Sequence, residues 1–306
     1  MKLSNIFLST LAVLLCCTAC SKDDESFKGK DADASLSIAV KAAGSAVTKG
    51  FHPNDENELA GEAKVNNLSV LVFDESGAQL IGYGWQATNS EGEASILNVP
   101  AMTMRAQIVI VSNTPENSLA GVTSYSDFES KLAQLADQSQ SNLVMSSPVI
   151  TTQAPLVKGD NYLGYASMGS ENINGIAEPV EITRLAARLD LVNVKTDFTK
   201  TLLRNRTVRV EEVTILNQST ASRFFSRDYW GVVMAAGHLG NSGATALNRD
   251  IANGSPINDT PYVHYVMEND GSEAPTEIQV RATLLETDMY EAETKIFTAV
   301  INRNGL

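Results

Sequence analysis

Polar and apolar residues alternate with a period of two along much of this chain, the pattern of strands with one face on a core. Ser35-Leu36-Ser37-Ile38-Ala39-Val40-Lys41 is the first case, with Leu36, Ile38 and Val40 on a single face. From Ala42 to Glu62 the residues are small and polar, with Gly44, Gly50, Pro53 and Gly61, so this stretch reads as an exposed loop. The first strand is therefore tied to the rest only by a long, accessible connection. Leu68–Phe73 runs into the turn Asp74-Glu75-Ser76-Gly77 and on to Gln79–Trp85, which predicts a hairpin. Arg105–Val111 is nearly continuous in Ile and Val. One helix is predicted: Ser126 and Glu129 form a capping box, and Phe128, Leu132 and Leu135 share a helical face through about residue 138. Further strands follow at Leu143–Val149, Tyr162–Ala166, Val180–Val194, Val208–Leu216, Tyr262–Met267 and Ile278–Leu284, while Gly237–Pro261 reads as a long surface loop. Mostly β sequence with one short helix in its N-terminal half is the signature of a sandwich. The cluster Gly169, Asn172, Asn174, Gly175 and Pro179 suggests two β-sandwich domains, residues 50–172 and 173–306.

The N-terminus adds an address. Lys2, an apolar run from Ile6 to Leu15 and then Thr18-Ala19-Cys20 make residues 1–20 a lipoprotein signal peptide, with Cys20 the lipidated first residue of the mature chain. Cys17 departs from the Leu usual at its position. An ordinary secretory signal and a membrane anchor are the other readings, although an apolar run of about ten residues falls short of the roughly 20 that span a bilayer. Ser21 to Asp33 is charged and poor in large apolar residues, a disordered tether, so residues 21–49 combine the tether with the first strand. Ser21-Lys22-Asp23-Asp24-Glu25 resembles the acidic export signal of surface lipoproteins in Bacteroidetes, which implies the outer face of the outer membrane.

Charge and side-chain chemistry narrow the function classes. A net charge of -13 opposes binding to nucleic acid or anionic membranes. Cys16, Cys17 and Cys20 all lie in the signal region, so the folded part has no disulfide, no thiol nucleophile and no cysteine metal site. No nucleophile elbow, zincin helix, phosphate loop or dinucleotide fingerprint occurs, and His52, His238 and His264 sit in unrelated segments. The expectation is a protein without catalysis, cofactor or metal. Asn269-Asp270-Gly271-Ser272-Glu273 offers oxygen ligands for Ca²⁺ without EF-hand spacing, and reads equally as a polar turn. Tyr83, Trp85, Tyr229 and Trp230 could stack on sugars or serve as strand packing.

Several segments together resemble the fimbrillins, the major fimbrial subunits of Bacteroidetes type V pili. They are Ser35–Lys41, Lys64–Phe73, Asn161–Tyr165, Val180–Arg188, Tyr265–Asn269 and Asn302-Arg303-Asn304, in that order after the lipobox. The resemblance implies a two-domain β-sandwich of transthyretin-like, Greek-key type, exported as a lipoprotein and trimmed by a trypsin-like surface protease. Cutting in the loop after the first strand would open a groove where Leu36, Ile38 and Val40 had been, to be filled by a strand of another subunit of a homopolymer. Related pilins are cut after Arg, yet the first Arg here is Arg105, and Lys49 occupies the matching place. Without the resemblance, a permanent first strand is the simpler reading. Related fimbrillins also continue past Arg303-Asn304, implying either a truncated product or a subunit that does not donate in the usual way. Two functions stay open: a structural fimbrial subunit supporting adhesion to host or bacterial surfaces, and a monomeric adhesin or glycan-binding lipoprotein. A tip or anchor subunit could combine them.

Overall fold

A computed structural model describes residues 31–43, 58–224 and 235–301. The N-terminal half begins with β1 (Ala34–Ala42), β2 (Lys64–Asp74), β3 (Leu80–Glu91), β4 (Glu93–Ala101) and β5 (Ala106–Ser112), followed by α1 (Tyr125–Glu129). It continues through β6 (Leu132–Gln134), β7 (Met145–Ser146), β8 (Ile150–Thr151), β9 (Gly159–Leu163) and β10 (Val180–Arg184). The C-terminal half comprises β11 (Ala186–Leu191), β12 (Thr207–Leu216), β13 (Gln218–Ser219), β14 (Ala221–Arg223) and β15 (Leu239–Gly240). After these come β16 (Thr245–Ala252), β17 (Tyr262–Met267), β18 (Glu277–Leu284) and β19 (Glu293–Val300).

In the first half the strands pair in the order β3-β2-β5-β7-β10-β1-β4, with β8 added to β5 and β9 to β1. The two end strands, β3 and β4, are consecutive in the chain and meet at Gly92, whose φ of +76° suits glycine. The sheet therefore folds back over itself. A Cβ at Gly82 would lie 2.5 Å from the Pro100 carbonyl, and one at Gly84 would lie 2.8 Å from Val99 Cγ2, so these glycines let β4 pass close over β3. The core between the layers holds Leu36, Ile38, Val40, Val70, Val72, Ile108 and Ile110. Side chains on the opposite face of β2 and β5, including Leu71, Phe73, Val109 and Val111, pack under α1 with Tyr125 and Phe128. Burial on both faces explains why Arg105–Val111 reads as a nearly continuous apolar run and why Val70–Phe73 in β2 carries no polar residue.

The helix is shorter than its periodicity predicts. Ser124, not Ser126, is the N-cap: its Oγ accepts from Asp127 N while Asp127 Oδ2 accepts from Thr123 N. Helix ends at Glu129 because the next residues pair elsewhere, β6 with β14, and Phe224 from that neighbourhood stacks on Phe128 at 5.3 Å between ring centroids. The polar cluster at 167–179 consists of tight turns in which Asn172 Nδ2 donates to the Tyr165 and Gly169 carbonyls. Beyond it β10 returns to the first sheet, beside β1, and Leu185 alone separates β10 from β11. The predicted strand over 180–194 is thus two strands in two different sheets.

Two four-stranded sheets form the second half, in the orders β11-β17-β13-β15 and β16-β12-β18-β19. Val210, Val213, Ile215, Ile251, Ile257 and Tyr262 are buried in its two small clusters. The stretch expected to be a surface loop contains β15 and β16. Only Leu247 and Ile251 of β16 turn toward apolar neighbours, too few for a period-two signal, and it is pairing with β12, reinforced by Arg209 Nε donating to Asp250 Oδ1 at 2.7 Å, that makes it a strand. Strands β4 and β19 were likewise not anticipated, and most side chains of β19 are exposed.

Candidate functional site: the seat of the first strand

β1 is an interior strand. One edge pairs antiparallel with β4, from Ala34 opposite Ala101 to Lys41 opposite Glu93. Its other edge pairs parallel with β9 over residues 34–38 and with β10 over residues 40–42. Leu36, Ile38 and Val40 are 0% exposed. Burying three side chains of this size is worth about 1.5–3 kcal/mol each, and ladder hydrogen bonds on both edges add to it. All the strands that hold β1 come later in the sequence, so the half is closed around its own N-terminus.

Two residues shape the seat. Gly164, at φ +86°, would put a Cβ 2.6 Å from the Ala39 carbonyl, so only glycine lets β1 pass there. Asn161, itself buried, donates through Nδ2 to the Ser35 carbonyl at 3.1 Å, and its Oδ1 accepts from Val157 N at 2.9 Å. Along the outward face Ser35 Oγ donates to Asp160 Oδ1 at 2.7 Å, and Lys41 Nζ lies 3.4 Å from Glu181.

Downstream of residues 44–57 the chain is bolted down. Glu62 is buried; its carboxylate accepts from Arg188 at 2.7 Å and from the Tyr265 hydroxyl at 2.8 Å, and Arg184 donates to the Glu62 carbonyl and to Glu58. Gln140 donates to the Ala60 carbonyl at 2.9 Å. Residues of β10, β11 and β17 thus clamp residues 58–62, just ahead of β2. Burial, with Glu62 as hydrogen-bond partner and nearby negative charge, raises the Tyr265 hydroxyl well above its ordinary pKa. Desolvation lowers Arg184; at Arg188 desolvation is outweighed by Glu62 and Asp190, and the net shift is upward.

The other sequence candidates are scattered. Cys20, Lys49, His52, Tyr229 and Trp230 lie outside the described residues. Tyr83 packs beside the cluster under α1, and Trp85, next but one along β3, is half-buried with its Nε1 inside. At 269–271 the chain makes a polar turn: Asn269 Oδ1 accepts from Gly271 N, and its Nδ2 donates to the Asn217 and Ala274 carbonyls. His264 bonds Gln218 Oε1 through Nε2 at 2.8 Å and stacks on Tyr262, and burial lowers its pKa. Among the described residues no group of three or more His, Cys, Asp or Glu is placed to hold a metal ion. Sequence reading missed Glu62, Arg184, Arg188, Gly164 and Asn161; their roles come from pairing between segments far apart in the chain.

Fold and seat together define a β-sandwich protein built around an inserted N-terminal strand. Residues 34–184 match the family of the major fimbrial subunit protein FimA, and residues 185–306 match the fimbrium tip subunit Fim1C-like C-terminal domain. A Parabacteroides distasonis protein assigned as fimbrium tip subunit Fim1C is 47% identical over 99% of this chain and 81% of its own length. A crystal structure of a protein from the same species, assigned to cell adhesion, superposes with a TM-score of 0.83 at 46% identity, over 90% of this chain and 82% of that one. The fimbrillin of Porphyromonas gingivalis W83 shares the fold, with a TM-score of 0.62 at 16% identity over 90% of this chain and 82% of that one. This chain belongs to the fimbrillin family and is a fimbrial subunit.

Proposed function

We propose that this subunit is exported as a lipoprotein through Cys20, displayed at the outer membrane, cut at Lys49, and joined to other fimbrial subunits by exchange of β1 for a partner's strand. The observation that carries this reading is the seat of β1: an interior strand with Leu36, Ile38 and Val40 fully buried, whose only covalent link to the rest of the fold runs through residues 44–57. Cutting that link would turn an intramolecular strand into a dissociable peptide, while the segment from Glu58 onward stays clamped. The lipid, the protease and strand exchange make one sequence of events. Mass and N-terminal sequencing of the protein recovered from cells test it. The parent is expected to begin at Gly50 and form SDS-resistant ladders, Lys49→Ala to retain β1 and stay monomeric, and Cys20→Ala to remain an unprocessed precursor. Polymerisation of Lys49→Ala like the parent refutes the cleavage site.

A place at the tip is the second reading, favoured by the match of residues 185–306 to a tip-subunit domain and by the 47% identical relative. Immunogold labelling separates them: label at fimbrial ends supports the tip, label along the shaft supports the stalk.

A further inference from the structure

The outward face of β1 is paired by a one-sided rim. Lys41 stands opposite Glu93 on β4 and beside Glu181 on β10, its two cross-strand neighbours, with Nζ 3.4 Å from the Glu181 carboxylate. At the other end Ser35 stands beside Asp160 and opposite Pro100. Between them Ser37 Oγ accepts from Asn98 N at the bulge, and Ala39 faces Ser95. Acidic groups therefore mark both ends of the rim, and every cross-strand partner of these four outward positions is acidic or uncharged. The core face defines register only in part: Leu36, Ile38 and Val40 are similar in size, so a slip by two residues keeps two of the three seats filled and puts Ala34 or Ala42 in the third.

Resting on the strand-exchange reading above, we propose that Glu93 and Glu181 form a charge clamp that selects and aligns the strand replacing β1. The occupant is a strand of a partner subunit that alternates apolar residues inward and carries a lysine or arginine at the outward position directly after its third large apolar residue, as Lys41 follows Val40. Its cation settles between the two carboxylates and stops the strand in one register and one direction. A strand with an acidic residue there meets two like charges as direct cross-strand neighbours, which opposes entry. Each exposed ion pair is weak alone, so the clamp acts as a discriminator between strands whose inward faces fit equally well.

The test uses the full chain with a specific protease site placed between residues 44 and 57, cut, and challenged with fluorescent peptides of the sequence 33–43. Anisotropy reads their affinity. The parent and Lys41→Arg peptides are expected to bind alike, Lys41→Ala about threefold more weakly and Lys41→Glu about tenfold more weakly, with the differences shrinking in high salt. On a Glu93→Lys/Glu181→Lys protein the order should invert. Glu181→Gln, at an exposed position that leaves the core untouched, should narrow the Lys-to-Glu ratio and keeps the test readable should the double variant fold poorly. Equal binding of the Lys41 and Lys41→Glu peptides, or an order that does not respond to the protein charges, overturns the clamp while leaving strand exchange standing. Failure of every peptide to enter, whatever its charge, overturns strand exchange and the clamp with it.

Discussion

Replacing Ile38 with Ala should weaken the precursor and leave the polymerised subunit untouched. Ile38 is 0% exposed and sits at the centre of β1, opposite Ile96 and beside Leu163. Removing a buried side chain of this size costs about 2–5 kcal/mol, from lost transfer energy plus the cavity left behind. For a chain with this much folded structure, about 3 kcal/mol corresponds to a fall in melting temperature of roughly 6–12 °C. The denaturant midpoint should fall while the slope stays the same, because both proteins expose the same surface on unfolding. The discriminating measurement comes after assembly. If β1 is removed on maturation, Ile38 is gone from the fibre, and fibres grown from Ile38→Ala and parent subunits should dissociate in the same denaturant concentration. A fibre weakened as much as the precursor refutes the reasoning, since β1 would then be a permanent part of the sandwich.

Gly164→Ala should destabilise the precursor, because the new Cβ meets the Ala39 carbonyl at 2.6 Å and the residue must hold φ +86°; thermal unfolding reads it, with about 1–3 kcal/mol expected from such a backbone conflict. Glu62→Gln should cost about 1–3 kcal/mol, because it removes the buried carboxylate that Arg188 uses, and trypsin should then cut at sites beyond residue 57; unchanged stability and an unchanged fragment pattern count against the clamp on residues 58–62. His264 is held below its ordinary pKa by burial, so the unfolded chain takes up the proton first: its contribution is intact above about pH 6.5 and is lost as pH falls through the lower folded value. His264→Gln should flatten the fall in melting temperature between about pH 6.5 and 5, before most carboxylates titrate, and an equally steep fall in the variant removes His264 from the account.

Local pattern gave away those parts of this protein that depend on local pattern. Leu36, Ile38 and Val40 were legible as one buried face because a strand exposes its period in a few residues. The nearly continuous run of Ile and Val in Arg105–Val111 was legible, and burial of β5 on both faces accounts for it. By contrast α1 stops at Glu129 against its own periodicity, since β6 is claimed by β14 from ninety residues away in the fold's other half, a pairing that Leu132 and Leu135 do not announce. β16 carries only Leu247 and Ile251 toward apolar neighbours and was hidden among Asn, Asp and Arg; an ion pair and a register with β12 define it.

The seat of β1 combines both kinds of information. Its inward residues were visible in the sequence; its neighbours were not, because β9 and β10 pair with it in parallel and parallel pairing leaves no turn to mark the partners. Those later strands enclose β1 after a long excursion of the chain, and this enclosure is what the proposed exchange would have to open. A first strand on a sheet edge would leave behind only one row of unpaired backbone groups and could be lost at little cost. An interior strand leaves two rows and an open core, a vacancy that strongly favours refilling. If β1 is removed as proposed, removal and replacement are coupled energetically: whatever takes the strand out creates the driving force for another to come in, past Gly164, Asn161, Glu93 and Glu181, which border β1.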